Sequence, residues 1–446
     1  MFSVRLLIGG IALACCVGTN AMAEVTLEEK LEILQQEIDA IRAQLARQRS
    51  QPPSQQPQSM QPQTPTATAQ TQTPPALAVV PPQATAPVAT DTGLFGSSNT
   101  TIGGYGEIAY NKYRNTDVNN NQADFRRFVL FLGHRFNDNL RFFSELEVEH
   151  AVASSTDRGE VEVEQAYLDY RVSDAVNFKA GLFLIPMGIL NETHEPPTYY
   201  GVERNFVETR IIPTTWREGG LQLYGELAQG LKYNIGVTTG FDSGKLDDPA
   251  FAIRSAHQEM QFANANDLSV HGALNYRAPG ILVGGGVFTG NTGQNGASNA
   301  ALKGVLARLT MWDVHAKYFR GNWDLQALYA RGTLGDAAQV SNALVAASGD
   351  PANIAPKVFD GWYYRAAYRI WKHGDMSLTP FVRIEKFNTQ KEVAEGFNAN
   401  PLNDDRVITA GMNFWLHPQV VLKADYQKFR TNTNSDRFNL GLGYMF

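Results

Sequence analysis

The sequence predicts an all-β fold, a sixteen-stranded antiparallel transmembrane β-barrel, preceded by a short α-helical coiled coil and a disordered linker. Two observations favour the barrel. From Thr100 onward, segments of about ten residues alternate apolar and polar side chains, and the connections between them are alternately short and long. The final stretch, FNLGLGYMF, has an apolar side chain at every second position. A strand with one apolar and one polar face fits lipid on one side and water on the other.

Residues 1–23 have the features of a secretory signal peptide. Arg5 precedes the apolar run LLIGGIALACCVG, and small residues lead up to a cleavage site after Ala23. The two cysteines of the chain, Cys15 and Cys16, lie inside this segment. The alternative is a lipoprotein signal with one of these cysteines lipidated, but the residues before each cysteine fit that motif poorly. We therefore expect a mature chain that contains no cysteine and no lipid.

Residues 24–49 are predicted to form a periplasmic coiled coil. Apolar residues recur at spacings of four and three, which is the heptad seam of such a coil: Leu27, Leu31, Leu34, Ile38, Ile41 and Leu45. The alternative is a single amphipathic helix lying on its own domain.

Residues 50–98 are rich in Pro, Gln, Thr and Ala and almost free of charge, which is typical of an extended linker. The barrel domain is then 99–446.

Sixteen candidate strands follow in the barrel domain. Short connections such as NDN, SDA, AQG and APG alternate with much longer ones, whereas a soluble β-sandwich would not need this asymmetry. An even number of strands lets the first and last pair and leaves no open edge. The alternation places Arg365, Arg369 and Lys423 on the inner face. The fourth strand, VEVEQAYLDY, changes phase near Gln165, which predicts a β-bulge there.

The runs DFRRFVLFLGHRFNDNLRFFSELEVEHA, EVEQAYLDY and AGLFLIPMGILNETHEPPTYYGVERNFVETRIIPTTWREGG resemble the phosphate- and polyphosphate-selective outer-membrane porins. The resemblance covers roughly residues 100–446 and is densest in 124–220. It implies a homotrimer in the outer membrane of a Gram-negative cell and a long loop after the fifth strand that folds into the lumen. Independently of the family, residues 187–213 form the longest early connection and follow the fifth predicted strand.

Inward and loop arginines and lysines are the candidate anion-binding groups, because guanidinium offers several donors at permanent charge. The candidates are Arg127, Arg135, Lys317, Arg365, Arg369, Arg383, Arg204 and Arg210. Arg365, Arg369 and Arg383 could equally be paired with wall carboxylates such as Glu385 and Asp425. Glu145, Glu147 and Glu149 oppose an anion filter, although their place near the long-loop end would put them at the mouth. We therefore expect a modest anion preference and keep a general or cation-preferring porin as an alternative.

Other classes of function have weaker support in the sequence. The net charge of −6 gives no reason to expect nucleic acid as a partner. No nucleophile and base stand in a catalytic pattern, so no enzyme activity and no cofactor are predicted. No ligand spacing recurs around His194 and His150, which predicts a solvated loop histidine and no metal site. A structural anchor that reaches the peptidoglycan through the coiled coil remains an alternative to a channel for small anionic or hydrophilic solutes.

Overall fold

A computed structural model of the chain describes residues 99–446, and these form one closed antiparallel sheet of sixteen strands. Each strand pairs with the next, and β16 returns to β1 with Asn439 opposite Asn111. The strands are β1 Thr100–Tyr113, β2 Gln122–Arg135, β3 Leu140–Glu149, β4 Val161–Arg171, β5 Asn177–Leu184, β6 Arg217–Ala228, β7 Leu231–Thr238, β8 Ser269–Ala278, β9 Ile281–Asn291, β10 Arg308–Arg320, β11 Trp323–Leu334, β12 Val358–Tyr368 with its continuation Trp371–His373, β13 Met376–Glu392, β14 Asp404–His417, β15 Val420–Phe429 and β16 Arg437–Met445. The prediction of a sixteen-stranded barrel is confirmed.

The predicted signal peptide, coiled coil and linker lie outside the described residues. Within the described part, the connections alternate as expected. Tight turns join strands at one rim, at 136–139, 172–176, 229–230, 279–280, 321–322, 374–375 and 418–419. Longer loops join them at the other rim, at 114–121, 150–160, 185–216, 239–268, 292–307, 335–357, 393–403 and 430–436. Among residues 99–446, no helix has the length and apolar character needed to cross a membrane.

The outer surface of the barrel is apolar. Aliphatic side chains such as Ile235 and Val314 are about half exposed along the strands. An aromatic girdle of the kind found at membrane interfaces lies near the short-turn rim and consists of Tyr170, Phe178, Tyr276, Tyr318, Trp323, Tyr368 and Trp371. An exposed apolar band with an aromatic border is what a lipid-facing surface requires.

Two β-bulges each add a charged side chain to the lumen. In β4, Gln165 pairs with Glu145 and Val163 with Leu146, so that Glu164 is an extra residue between them. This confirms the bulge predicted near Gln165. In β2, the register shifts in the same way and leaves Arg126 as the extra residue, which the sequence analysis missed. Both bulges lie beside the loop that follows β5.

The apolar core of the protein lies inside the barrel. The longest early connection, predicted as residues 187–213 and observed as loop 185–216, was expected to fold inward, and loop 239–268, for which no such expectation was made, folds inward as well. Trp216 and Phe241 are fully buried and their ring centroids lie 5.0 Å apart. The loop before β12 contains an unpredicted helix, α1 Ala337–Ser348, which buries Val340 and Leu344 and ends at Gly349. Gly349 has a φ of 72°, the left-handed conformation that glycine adopts without strain.

Candidate functional site: the lumen and its constriction loop

Residues 185–216, hereafter the constriction loop, leave the wall after β5 and cross the lumen. Their tip is held by hydrogen bonds to strands on the other side of the barrel. The hydroxyl of Tyr199 donates to Glu107 on β1 at 3.0 Å, and the backbone N–H of Val202 donates to Asp425 on β15 at 2.6 Å. The expectation that the loop after the fifth strand enters the lumen is therefore confirmed.

Glu203 is the main ionic anchor of the loop tip. Its carboxylate pairs with Arg126 and accepts a hydrogen bond from Asn111 at 2.9 Å, while Arg437 lies 3.8 Å away. Burial opposes the charge on this carboxylate, but Arg126 and Arg437 outweigh burial and hold the pKa of Glu203 well below its usual range. The tip is therefore tied to β1, β2 and β16 by a charged group that stays ionised at neutral pH.

Glu208 organises the loop internally. One carboxylate oxygen accepts hydrogen bonds from the backbone N–H groups of Ile189 and Leu190, at 2.5 and 2.7 Å. The other accepts from Asn205 and from the hydroxyl of Tyr363 on β12, both at 2.8 Å. The start of the loop, its tip and the wall are thus joined through one carboxylate.

Arg383 and Glu385 on β13 form the wall that the loop tip meets. The Arg383 Nε donates to Glu385 at 2.9 Å, and Phe206 N–H donates to the other oxygen of Glu385 at 2.5 Å. Arg383 also donates to the carbonyl of Tyr200 at 3.3 Å. Pairing with Glu385 is the alternative that the sequence left open for Arg383.

The two candidate arginines of the loop serve its packing. Arg204 is buried and donates to the Thr214 hydroxyl at 2.5 Å, within the loop. Arg210 stacks on three aromatic rings, with its guanidinium carbon 5.2 Å from Phe206, 5.1 Å from Phe251 and 5.0 Å from Phe387.

The register brings four basic residues together on the inner face of β8 to β13, and we name Arg277, Lys317, Arg365 and Arg383 the basic row. Arg277 and Lys317 both pair with Leu282, which lies between them on β9. Lys317 pairs with Gln326, Gln326 pairs with Arg365, and Arg365 pairs with Arg383. The row is one continuous strip across six strands, and of its four members Arg277 was not among the predicted residues.

Asp324 partly compensates the basic row. Arg365 donates to it at 2.5 Å, and Lys317 lies 4.0 Å from its other oxygen. Arg365 is buried and its guanidinium carbon lies 4.5 Å from the Tyr200 ring of the constriction loop. Lys317 and Arg277 are only half-buried, so that these two cations face the water of the lumen.

The remaining predicted cations lie elsewhere. Arg369 and Arg135 lie near the short-turn rim, where Arg369 donates to Asn322 at 3.1 Å and Arg135 to Asn99 at 3.3 Å. Arg127 lies on β2 among three glutamates, at 3.6 Å from Glu107, 3.4 Å from Glu147 and 3.9 Å from Glu149. The wall formed by β1 to β4 is thus rich in carboxylates, across the lumen from the basic row.

Two expectations about acidic and histidine residues are wrong. Glu145 and Glu147 do not lie at an open mouth, because they are buried beneath the constriction loop. His194 is not a solvated loop histidine: it is 3% exposed and its Nε2 lies 3.4 Å from Glu164. Burial lowers the pKa of His194, but the Glu164 carboxylate outweighs burial, and the pKa is raised to about 9. The bulge that presents Glu164 is the sequence signal that could have indicated this contact.

Comparison with known proteins agrees with this architecture. A family model described as phosphate-selective porin O and P matches residues 103–210. An uncharacterized protein of Aquifex aeolicus is 32% identical over 354 residues, which is 77% of this chain and 79% of that protein.

The barrel has the fold of a solved porin at low sequence identity. Salmonella typhi OmpF, in a complex with daunomycin, is 14% identical, with 78% of this chain and 98% of that chain covered and a TM-score of 0.54. An anion-selective porin from Comamonas acidovorans is 11% identical, with 78% and 99% covered and a TM-score of 0.48. By its match to this family model and by its relative of 32% identity, the chain belongs to the family of phosphate-selective porins O and P, which are bacterial outer-membrane proteins.

Proposed function

We propose that the barrel is a water-filled channel for passive diffusion of small hydrophilic solutes, with a modest preference for anions such as phosphate and polyphosphate. The observation that carries this proposal is the basic row on β8 to β13. Arg277 and Lys317 in this row are half-buried and face the lumen. The channel acts by diffusion, without covalent chemistry.

The constriction loop supplies the second requirement for selectivity. Fixed charge acts on a passing ion only where the passage is narrow, because the low-dielectric walls then focus the field. The loop tip lies against the basic row, since Tyr200 stacks on Arg365 and its carbonyl accepts from Arg383. Asp324 and Glu385 neutralise most of the charge of Arg365 and Arg383. We therefore expect weak anion selectivity and no high-affinity phosphate site.

Reversal potentials in asymmetric potassium chloride test the preference. The wild-type channel should favour chloride, and the double variant Arg277→Gln/Lys317→Gln should shift the reversal potential toward potassium. The matched control is Lys386→Gln, which removes an exposed lysine from the outer face of β13. A shift of equal size in the control, or no shift in the double variant, would contradict the role of the basic row.

The carboxylates of β1 to β4 support a second candidate, a general or cation-preferring porin. Glu149 and Glu162 keep 31% and 20% of their side-chain surface exposed and therefore face water. If solutes pass along this wall, the wild-type channel prefers cations. The double variant Glu149→Gln/Glu162→Gln then shifts the reversal potential toward anion preference. The sign of the wild-type reversal potential decides between the two candidates.

We further propose that the protein is a homotrimer, with residues 24–49 as a periplasmic coiled coil and 50–98 as its linker. The heptad seam and the family support this assembly. Deleting 24–49 should leave a folded barrel, because the linker separates the two regions, and should weaken binding to purified peptidoglycan if the coil is a tether. Loss of barrel assembly in this deletion would contradict a modular chain.

An acylated cysteine in the mature protein, detected by mass spectrometry, would contradict signal cleavage after Ala23.

A further inference from the structure

Three buried side chains from separate parts of the chain meet where the constriction loop passes over the acidic wall. They are Glu145 from β3, Glu164 from the β4 bulge and His194 from the loop. One donor atom from each lies within 4.8 Å of the others. Their exposed fractions are 4%, 0% and 3%, so that water reaches none of them freely.

Two of the three residues, Glu164 and His194, have potential ligand atoms without a hydrogen-bond partner. Both carboxylate oxygens of Glu164 and the Nε2 of His194 are buried without a hydrogen bond. The Nδ1 of His194 lies 3.0 Å from the carbonyl of Asn191. A carbonyl only accepts, so Nδ1 carries a proton and Nε2 is left to face the Glu164 carboxylate. Unpaired buried polar atoms are costly, and two facing acceptors need a cation or a proton between them.

The surroundings add negative charge. Glu147 and Glu195 are also buried and each has one carboxylate oxygen without a hydrogen bond. Three arginines lie near the cluster, but Arg127 is shared among three glutamates at 3.4 to 3.9 Å, Arg217 pairs with two other glutamates, and Arg204 donates to a hydroxyl within the loop. Burying several carboxylates around few cations destabilises a fold unless another positive charge is bound.

We propose that Glu145, Glu164 and His194 bind a divalent transition-metal ion of the Zn²⁺ class. One imidazole nitrogen and two carboxylates are ligands that Zn²⁺ accepts, and three protein ligands leave a coordination position for water. In the ion-free chain, a proton on Nε2 of His194 takes the place of the ion.

Outer contacts orient two of the three ligands. The Asn191 carbonyl fixes the His194 ring, and the Gln165 amide donates to Glu145 at 2.5 Å. Such partners set the tautomer and direction of metal ligands. The ion would join the start of the constriction loop to β3 and β4, next to the wall from which the loop departs. This site is independent of the anion preference proposed above.

Zinc binding to the purified full-length protein in detergent tests the site. After removal of metal with a chelator, isothermal titration with Zn²⁺ should show one ion per chain, and elemental analysis after dialysis should confirm it. His194→Gln and Glu164→Gln should each weaken binding at least about tenfold. The matched control is His150→Gln, which changes a half-exposed histidine paired with Asp124 in another loop and should bind as the wild type does.

A spectroscopic measurement on the wild-type protein tests the site even if the variants fail to fold. Co²⁺ added to the stripped wild type should give the visible absorption of a low-coordinate site with nitrogen and oxygen ligands, and Zn²⁺ should displace it. Heat-modifiable migration in SDS gels shows which variants are folded. The proposal is overturned if the wild type retains no ion and gives no Co²⁺ spectrum, or if folded His194→Gln and Glu164→Gln both bind Zn²⁺ undiminished. In either case His194 is an imidazolium paired with Glu164.

Discussion

The backbone N–H of Phe206 donates a 2.5 Å hydrogen bond to the carboxylate of Glu385. Phe206 belongs to the loop that leaves the wall after β5, and Glu385 lies on β13, halfway around a ring of sixteen strands. This contact means that the constriction loop spans the whole lumen. It also means that the wall strands fix the width of the passage through hydrogen bonds to the loop tip.

The first prediction is that Glu203→Gln loosens the loop tip. The substitution removes the charge that pairs with Arg126 and Arg437, and a lost charge-assisted hydrogen bond is worth about 1.5–3 kcal/mol. We expect a larger or noisier single-channel conductance. The matched control is Glu192→Gln, which makes the same charge change at an exposed position of the same loop. Equal conductance changes in both variants would show that charge, and not anchoring, is responsible.

The second prediction separates paired from functional arginines. Arg365→Ala leaves Asp324 without its 2.5 Å partner and should shift the reversal potential toward cations. The double variant Arg365→Ala/Asp324→Asn removes both charges and should restore a value near that of the wild type. The measurement is the reversal potential in asymmetric salt, and raising the salt should reduce both differences through screening. A double variant that stays as cation-preferring as Arg365→Ala would assign Arg365 a direct role in anion passage.

The barrel was predictable because its signals are local. Alternation with period two, seen in Val420–Phe429, fixes which face meets lipid, and turn length fixes the rim. The site was less predictable because its contacts join distant residues. Arg365 and Arg383 could be placed on the inner face, but their partners Asp324 and Glu385 depend on register between strands.

Bulges account for most of what sequence reasoning missed in the lumen. Strict alternation would place certain side chains on the outer face of the barrel. One inserted residue moves such a side chain to the inner face. Arg126 and Glu164 both enter the lumen in this way. Each forms an ion pair with a residue of the constriction loop, Arg126 with Glu203 and Glu164 with His194. The inward loop 239–268 was missed for another reason, since a loop sequence carries no periodic signal of burial.

The third prediction concerns acid. His257 in loop 239–268 is stacked on Trp216, lies 3.6 Å from Glu259, and has Arg254 and Arg217 among its charged neighbours. Burial lowers the pKa of His257 to about 4, so the packed loop keeps it neutral. In an opened loop, His257 would have its ordinary pKa of about 6.5. The opened loop therefore binds a proton more readily than the packed loop, and the packed loop loses stability as the pH falls from about 6.5 to 4.

Hydrogen–deuterium exchange of residues 239–268, corrected for intrinsic rates, measures this effect. Protection should fall about tenfold or more between pH 7 and pH 5. His257→Phe keeps the aromatic stacking but cannot titrate, so its protection should stay constant over this range. Glu259 has its pKa lowered to about 2 and contributes only at more acidic pH. Identical pH dependence in His257→Phe and the wild type would assign the effect to another group.

The last prediction concerns the strand that closes the barrel. Phe446 exchanges two backbone hydrogen bonds with Gly104 of β1, at 2.9 and 3.0 Å, and its ring is 56% exposed on the lipid side. Deleting Phe446 removes both bonds and one aromatic group at the short-turn rim, where the sheet must close. We expect less assembled barrel in isolated outer membranes, while the channels that do assemble conduct normally. Phe438→Ala, which trims an outward ring of β16 that is 40% exposed, is the control for lost apolar surface and should assemble better than the deletion. Normal assembly with altered conductance would instead place the apolar face of β16 in the lumen.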